Sequence, residues 1–154
     1  VINSDWVAYQ SRVLITGEDL ASPDALGNTA NPNKIANPDN LKFSESLRTL
    51  FIGEDSGMHV NNFLWAYNVD TKVLSRILST PSGAESTGLH AVDSINGWTY
   101  IMSNFQHPGD WEGIHSNVKG TLQSYINANY NNGYAAAVGY ITADPIAPSS
   151  VKKS

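Results

Sequence analysis

The feature that most constrains the fold is a succession of short apolar segments separated by tight turns. Asn, Ser, Gly and Pro recur between these segments throughout the chain, a spacing that favours strands joined by turns over long helices. The first predicted strands span residues 41–43, 49–52, 62–69 and 73–78. Four short strands joined by tight turns make one antiparallel meander, which is the size of a single blade of a β-propeller.

The strand pattern partly repeats further along the chain. Residues 88–92 and 98–102 are predicted to form two more strands, and the turn between them matches the turn over 44–48. The offset between the matching turns is roughly 48–50 residues, within the range of propeller blades. This partial repeat indicates that a second unit of the same kind follows the first.

The repeat breaks after Gln106. A helix is predicted over 117–128, an outer strand of the second unit over 135–142, and a fraying Pro- and Ser-rich tail over 143–154. We therefore predict an all-β fold, with about two four-stranded blades of a β-propeller and a short helix in the C-terminal third. Since propellers close with roughly four to eight blades, either the remaining blades lie outside residues 1–154 or the units pack in some other way.

The N-terminal region does not share the strand pattern. Residues 6–14 have an ambiguous period that fits either a short helix or a strand. Residues 21–40 are rich in Pro, Asn, Asp and Gly, and are predicted to form a long loop. Loops of this length in compact domains are often functional.

The composition argues against several classes of protein. The net charge is −5 and no basic patch is visible, so nucleic-acid binding is not expected. The chain contains no cysteine, which leaves oxygen and imidazole groups as possible metal ligands. No apolar run approaches the length of a membrane span.

Acidic residues stand at the predicted strand ends. Asp39 precedes the first strand, Glu54 and Asp55 follow the second, and Glu85 precedes the next unit. Inner-strand ends of a propeller lie near its axial channel, so acids from different blades can converge there and bind hard cations. In the alternative interpretation, Asp39 and Glu85 cap turns and the other two acids are solvated.

His107 follows the last predicted strand, in the motif Gln106-His107-Pro108-Gly109. Its imidazole suits metal binding, phosphate binding or proton transfer, although a His before Pro-Gly is also a common loop residue. Three other histidines show no paired ligand spacing and are predicted to be structural or exposed: His59, His90 and His115. Four aromatic residues alternate along strands and are predicted to pack in the core or between blades: Trp65, Tyr67, Trp98 and Tyr100.

Taken in order, these motifs resemble the C-terminal region of PhoX-type alkaline phosphatases. The resemblance runs from about residue 11 to residue 109, and its motifs occupy residues 25–29, 34–41, 49–55, 61–62, 84–88 and 104–109. It implies a six-bladed propeller with calcium and iron on its axis. It also implies an enzyme that removes phosphate from phosphoesters and is periplasmic or secreted.

The resemblance further implies roles for individual residues. Asp39 and Glu85 match metal ligands, and Glu54 and Asp55 are candidates for calcium binding or its support. His107 and Lys34 are the candidates for catalysis on the phosphate group. Asn62 is the candidate for substrate binding.

The chain also departs from the family pattern. Ser82, Gly83 and Ala84 stand where arginine and cysteine are often found. The N-terminal half of the pattern, with its metal-binding cysteine, is not in this sequence, so the expected partner is the missing N-terminal portion of the same propeller. Three hypotheses stay open: an exported metal-dependent phosphatase, a non-catalytic calcium-binding propeller module, and a structural domain with solvated acidic turns.

Overall fold

A four-stranded antiparallel sheet forms the first part of the fold. The computed structural model describes residues 2–143. The strands pair in sequence order and are β1 (Pro38–Ser44), β2 (Thr49–Glu54), β3 (Phe63–Asn68) and β4 (Leu74–Ser79). The meander predicted from the sequence is confirmed, and β1 begins earlier than expected.

A second antiparallel sheet follows, in the order β5-β6-β7. Its strands are β5 (Glu85–Ile95), β6 (Trp98–Gln106) and β7 (Ala137–Ala143), and α1 (Ser116–Asn129) lies between β6 and β7 in the chain. The predicted helix and last strand are therefore confirmed. Within residues 2–143 the second sheet has three strands where four were predicted. Beyond Ala143, which ends β7, the predicted tail lies outside the described residues.

The hairpins use residues suited to their turns. Between β5 and β6, Asn96 and Gly97 have φ angles of 53° and 87°. Two consecutive positive φ angles are what a two-residue type I′ turn requires, and Asn-Gly is a preferred pair for it. Between β3 and β4, the Asn68 side chain accepts hydrogen bonds from the backbone N–H groups of Asp70 and Thr71, at 3.1 and 2.9 Å.

The two sheets pack face to face through an apolar core. Phe51 and Leu64 of the first sheet meet Ala91 and Ile101 of the second, and Leu64 is fully buried. The strands β1 and β5 are neighbours across this interface. Full burial of a Leu or Phe side chain contributes about 1.5–3 kcal/mol, so this core holds the sheets together.

A second core covers the opposite face of the first sheet. Phe63, Trp65 and Tyr67 of β3 pack there beside Ile52, and Ile35 from the preceding loop covers them. Of the four aromatic residues predicted to pack, the two on β3 are therefore buried. The other two, Trp98 and Tyr100, are partly exposed.

The N-terminal region is irregular. Residues 21–37 contain no helix or strand, which confirms the predicted loop up to the start of β1. Residues 6–14 form neither the helix nor the strand that their period allowed, and Ala8 forms an isolated bridge with Ile2.

At the level of architecture, residues 2–143 form two open sheets and no closed ring. No helix in that span is long and apolar enough to cross a membrane. The junction between the ends of β2 and β5 is the part of the fold that positions the candidate site.

Candidate functional site

The ends of β2 and β5 lie against each other at Gly53 and Ser86. A Cβ atom on Gly53 would lie 2.7 Å from the backbone oxygen of Ser86, so only glycine permits this approach without a shift. Side chains alternate along a strand. Gly53 and Asp55 therefore face β5, while Glu54 faces the opposite core. This arrangement places Asp55 beside Glu85, the first residue of β5.

A small cavity lies at this junction, with a volume of about 50 Å³. It is bounded by the loop after β2, the turn before β5, the end of β6 and the segment before α1. A cavity needs roughly 10–15 Å³ of such space to hold a water, so this one has room for an ion or a few waters. The lining residues with ionisable side chains are Asp55, Glu85, His107, Asp110, Glu112 and His115.

His107 pairs with Glu85 on the wall of this cavity. Its Nε2 lies 2.9 Å from Oε1 of Glu85, and its Nδ1 lies 3.1 Å from the backbone oxygen of Gly83. Because both ring nitrogens face acceptors, the geometry favours the doubly protonated, positively charged ring. Burial opposes that charge, but the hydrogen bonds to Glu85 and Gly83 outweigh it and raise the pKa of His107 above its ordinary value.

Glu85 and Asp55 form a carboxyl pair with opposite pKa shifts. Burial opposes ionisation of Glu85, but hydrogen bonds from Gln106, His107 and Asp55 outweigh it and lower the pKa of Glu85. Burial and the adjoining Glu85 carboxyl raise the pKa of Asp55, and the charge of Asp39 adds to this rise. Asp55 is therefore the member of the pair that holds a proton more readily.

Asn62 lines the same cavity and is buried. Its Oδ1 accepts a hydrogen bond from the backbone N–H of Ser56 at 2.9 Å. Its Nδ2 donates to the backbone oxygen of Ala84 at 3.0 Å. Both ends of the amide are thus engaged by backbone groups next to Asp55 and Glu85.

Two other predicted site residues lie at or beyond the rim. Asp39 is exposed on β1 and accepts a hydrogen bond from the Asn40 amide at 2.7 Å. It acts on the cavity through its charge, which raises the pKa of Asp55. Lys34 does not line the cavity and forms an ion pair with Glu18 on the surface.

The structure does not bring Glu54 to the cavity either. Its side chain is 0% exposed. It accepts hydrogen bonds from the backbone N–H groups of Ala36 and Phe63, from Trp65 Nε1 at 2.6 Å, and pairs with His59 Nδ1 at 3.0 Å. Glu54 therefore ties the N-terminal loop to the first sheet, on the face away from Asp55.

Four residues that were not predicted to be site residues belong to the site: Gln106, Asp110, Glu112 and His115. Gln106 pairs with Glu85 across β5 and β6, and strand register is the signal that would have found it. His115 accepts a hydrogen bond from the Glu112 N–H through Nδ1 at 3.0 Å, and its Nε2 lies 3.2 Å from the Val60 oxygen. Only the tertiary fold brings His115 to the cavity, because His115 is distant in the chain from Asp55 and Glu85.

Within residues 2–143, no three His, Asp or Glu side chains are already arranged as a set of metal ligands. No family model matches the chain, and no curated protein or solved structure shows significant similarity to it. Inference about function therefore depends on the chemistry of this cavity and on the motifs that form it.

Proposed function

We propose that the two sheets are consecutive blades of a six-bladed β-propeller, and that the chain carries part of the metal site of a PhoX-type phosphatase. Face-to-face packing of the sheets, with β1 beside β5, supports the blade arrangement. In this proposal the missing N-terminal portion of the same protein supplies the other blades. The protein is exported to the periplasm or secreted.

The observation that carries the functional proposal is the meeting of Asp55, Glu85 and His107 from three strand ends. Adjoining carboxylates repel each other unless a proton or a cation lies between them. A calcium ion binds several oxygen donors at once, and its charge offsets the repulsion between the carboxylates. His107 also has a φ of 41°, and such strained residues cluster at functional sites.

In this proposal Asp55 and Glu85 hold calcium, and Asp39 adds negative charge at the rim. Bound calcium would polarise the phosphoryl oxygens of a phosphomonoester. His107 binds a phosphate oxygen or donates a proton to the leaving oxygen. Asn62 supports the ligands, and Lys34 stays paired with Glu18.

Iron is the second metal that the resemblance implies. The chain contains no cysteine, so a thiolate ligand for iron has to come from the missing N-terminal portion. The carboxylates of the described cavity are the oxygen donors that calcium takes.

Calcium titration by calorimetry, paired with release of p-nitrophenol from p-nitrophenyl phosphate, tests the proposal on the whole protein. We expect Asp55→Asn and Glu85→Gln each to weaken calcium binding at least tenfold, and chelation of calcium to abolish hydrolysis. Glu45→Gln is the matched control, because the Glu45 side chain is 84% exposed and does not line the cavity. Wild-type calcium affinity in both site variants would contradict the proposal.

A calcium-binding module without catalysis is the second candidate. The cavity has a volume of about 50 Å³, which suits an ion, and a phosphomonoester would reach it from its open side. Calcium binding without any hydrolysis of p-nitrophenyl phosphate by the whole protein would favour this module over the enzyme.

A further inference from the structure

Asn62 connects the two backbone segments that carry the carboxyl pair. The Ser56 N–H, one residue after Asp55, donates to Asn62 Oδ1 at 2.9 Å. The Ala84 oxygen, one residue before Glu85, accepts from Asn62 Nδ2 at 3.0 Å. A single side chain therefore spans the junction between the first sheet and the second.

The two partners determine the orientation of this amide. Ser56 offers an N–H and requires an acceptor, whereas Ala84 offers a carbonyl and requires a donor. An amide meets both demands, and a carboxylate meets only the first. Asn62 is 7% exposed, so water cannot readily replace either bond, and a buried group left without a partner is destabilised.

The backbone of Asn62 is held by the turn before β5. Its carbonyl oxygen accepts a hydrogen bond from the Thr80 N–H at 2.9 Å. The Thr80 hydroxyl lies 3.0 Å from that oxygen and 3.1 Å from the Ala84 oxygen. The Asn62 side-chain amide is thus attached to a backbone that is itself held in place. A residue that sets the distance between the Asp55 and Glu85 side chains requires such a fixed backbone.

We propose that Asn62 is a positioning residue that keeps the Asp55 and Glu85 carboxyl groups in contact, and so sets the affinity of the cavity for a divalent cation. The second half of this inference rests on the proposed calcium site. The first half does not, because it concerns only the distance between two side chains.

The test compares Asn62→Ala with Asn61→Ala. Asn61 is the adjacent residue and binds the same turn, through Thr80 O at 2.7 Å and Ser82 Oγ at 3.1 Å, but those bonds involve neither Ser56 nor Ala84. Calcium chloride is titrated into the whole protein by calorimetry, and crystal structures of the calcium-free variants give the distance between the two carboxyl groups. Melting temperatures report the general loss of stability.

We expect the carboxyl groups to separate and calcium affinity to fall at least tenfold in Asn62→Ala, with affinity within about twofold of wild type in Asn61→Ala. If the wild type binds no calcium but the carboxyl groups still separate in Asn62→Ala, the proposed metal site fails and the positioning role stands. If the carboxyl groups remain in contact in Asn62→Ala, the positioning role is overturned. Should that variant not fold, Asn62→Ser serves instead, because its hydroxyl adds no charge to the cavity and is too short to bridge Ser56 and Ala84.

Discussion

Glu54 and Asp55 are adjacent in the chain and lie in opposite environments. The alternation of side chains along β2 sends Glu54 into the core with Trp65 and sends Asp55 to the cavity with Glu85. The buried Glu54 accepts four hydrogen bonds, which offset the cost of burying its charge. Two acids that the motif suggested as a pair therefore have separate structural settings.

At the same scale, the charge of His107 depends on Glu85. We expect Glu85→Gln to lower the pKa of His107, because the hydrogen bond to Glu85 and the charge of Glu85 are among the interactions that raise it. Titration of the His107 ring protons by NMR measures this. An unchanged His107 pKa in Glu85→Gln would show that the carboxylate does not hold the charge.

The interaction of His107 with Glu85 also makes the stability of the folded protein depend on pH. Since the folded pKa of His107 is raised, the charged ring stabilises the fold fully below its unfolded pKa of about 6.5, and this contribution is lost as the pH rises through the folded pKa. The melting temperature should therefore fall less over that range in Glu85→Gln than in the wild type.

At the scale of elements, apolar strands were easier to predict than polar strand ends. The strands β2 and β3 are rich in apolar residues and were predicted nearly to their ends. The strands β5 and β6 extend beyond their predictions through Ser86 and Ser103, whose hydroxyl oxygens lie 3.3 Å apart. Polar cross-strand contacts of this kind leave no hydrophobic period in the sequence. Glu85 was therefore predicted to precede the strand, whereas it is the first residue of β5.

A substitution at Gly53 tests the contact between β2 and β5. We expect Gly53→Ala to destabilise the protein by about 1–3 kcal/mol, because the new Cβ would lie 2.7 Å from the Ser86 oxygen. Gly139→Ala on β7 is the matched control, since no atom lies within 4 Å of a Cβ built there. Urea unfolding followed by tryptophan fluorescence measures both, and equal stability of the two variants would refute the close contact.

At the scale of the whole molecule, the two sheets depend on one shared core. Leu64 is 0% exposed in that core, so Leu64→Ala should cost about 2–5 kcal/mol of the free energy of unfolding. Leu41→Ala provides the comparison, because Leu41 is 62% exposed on β1 and should change stability by no more than about 0.5 kcal/mol. A loss at Leu64 no larger than that at Leu41 would mean that this core does not hold the sheets together.

The sequence by itself determined the local structure of this protein. Apolar runs, the Asn, Ser, Gly and Pro residues between them and their spacing predicted the meander, the helix and the loop, because these depend on neighbouring residues. The strand-end motifs also identified Asp55, Glu85 and His107 as candidates. Only the tertiary structure decided which candidates meet. Contact between Asp55 and Glu85 depends on the packing of one sheet on another, the glycine at their junction and the Asn62 amide, and the same packing leaves Glu54 and Lys34 elsewhere.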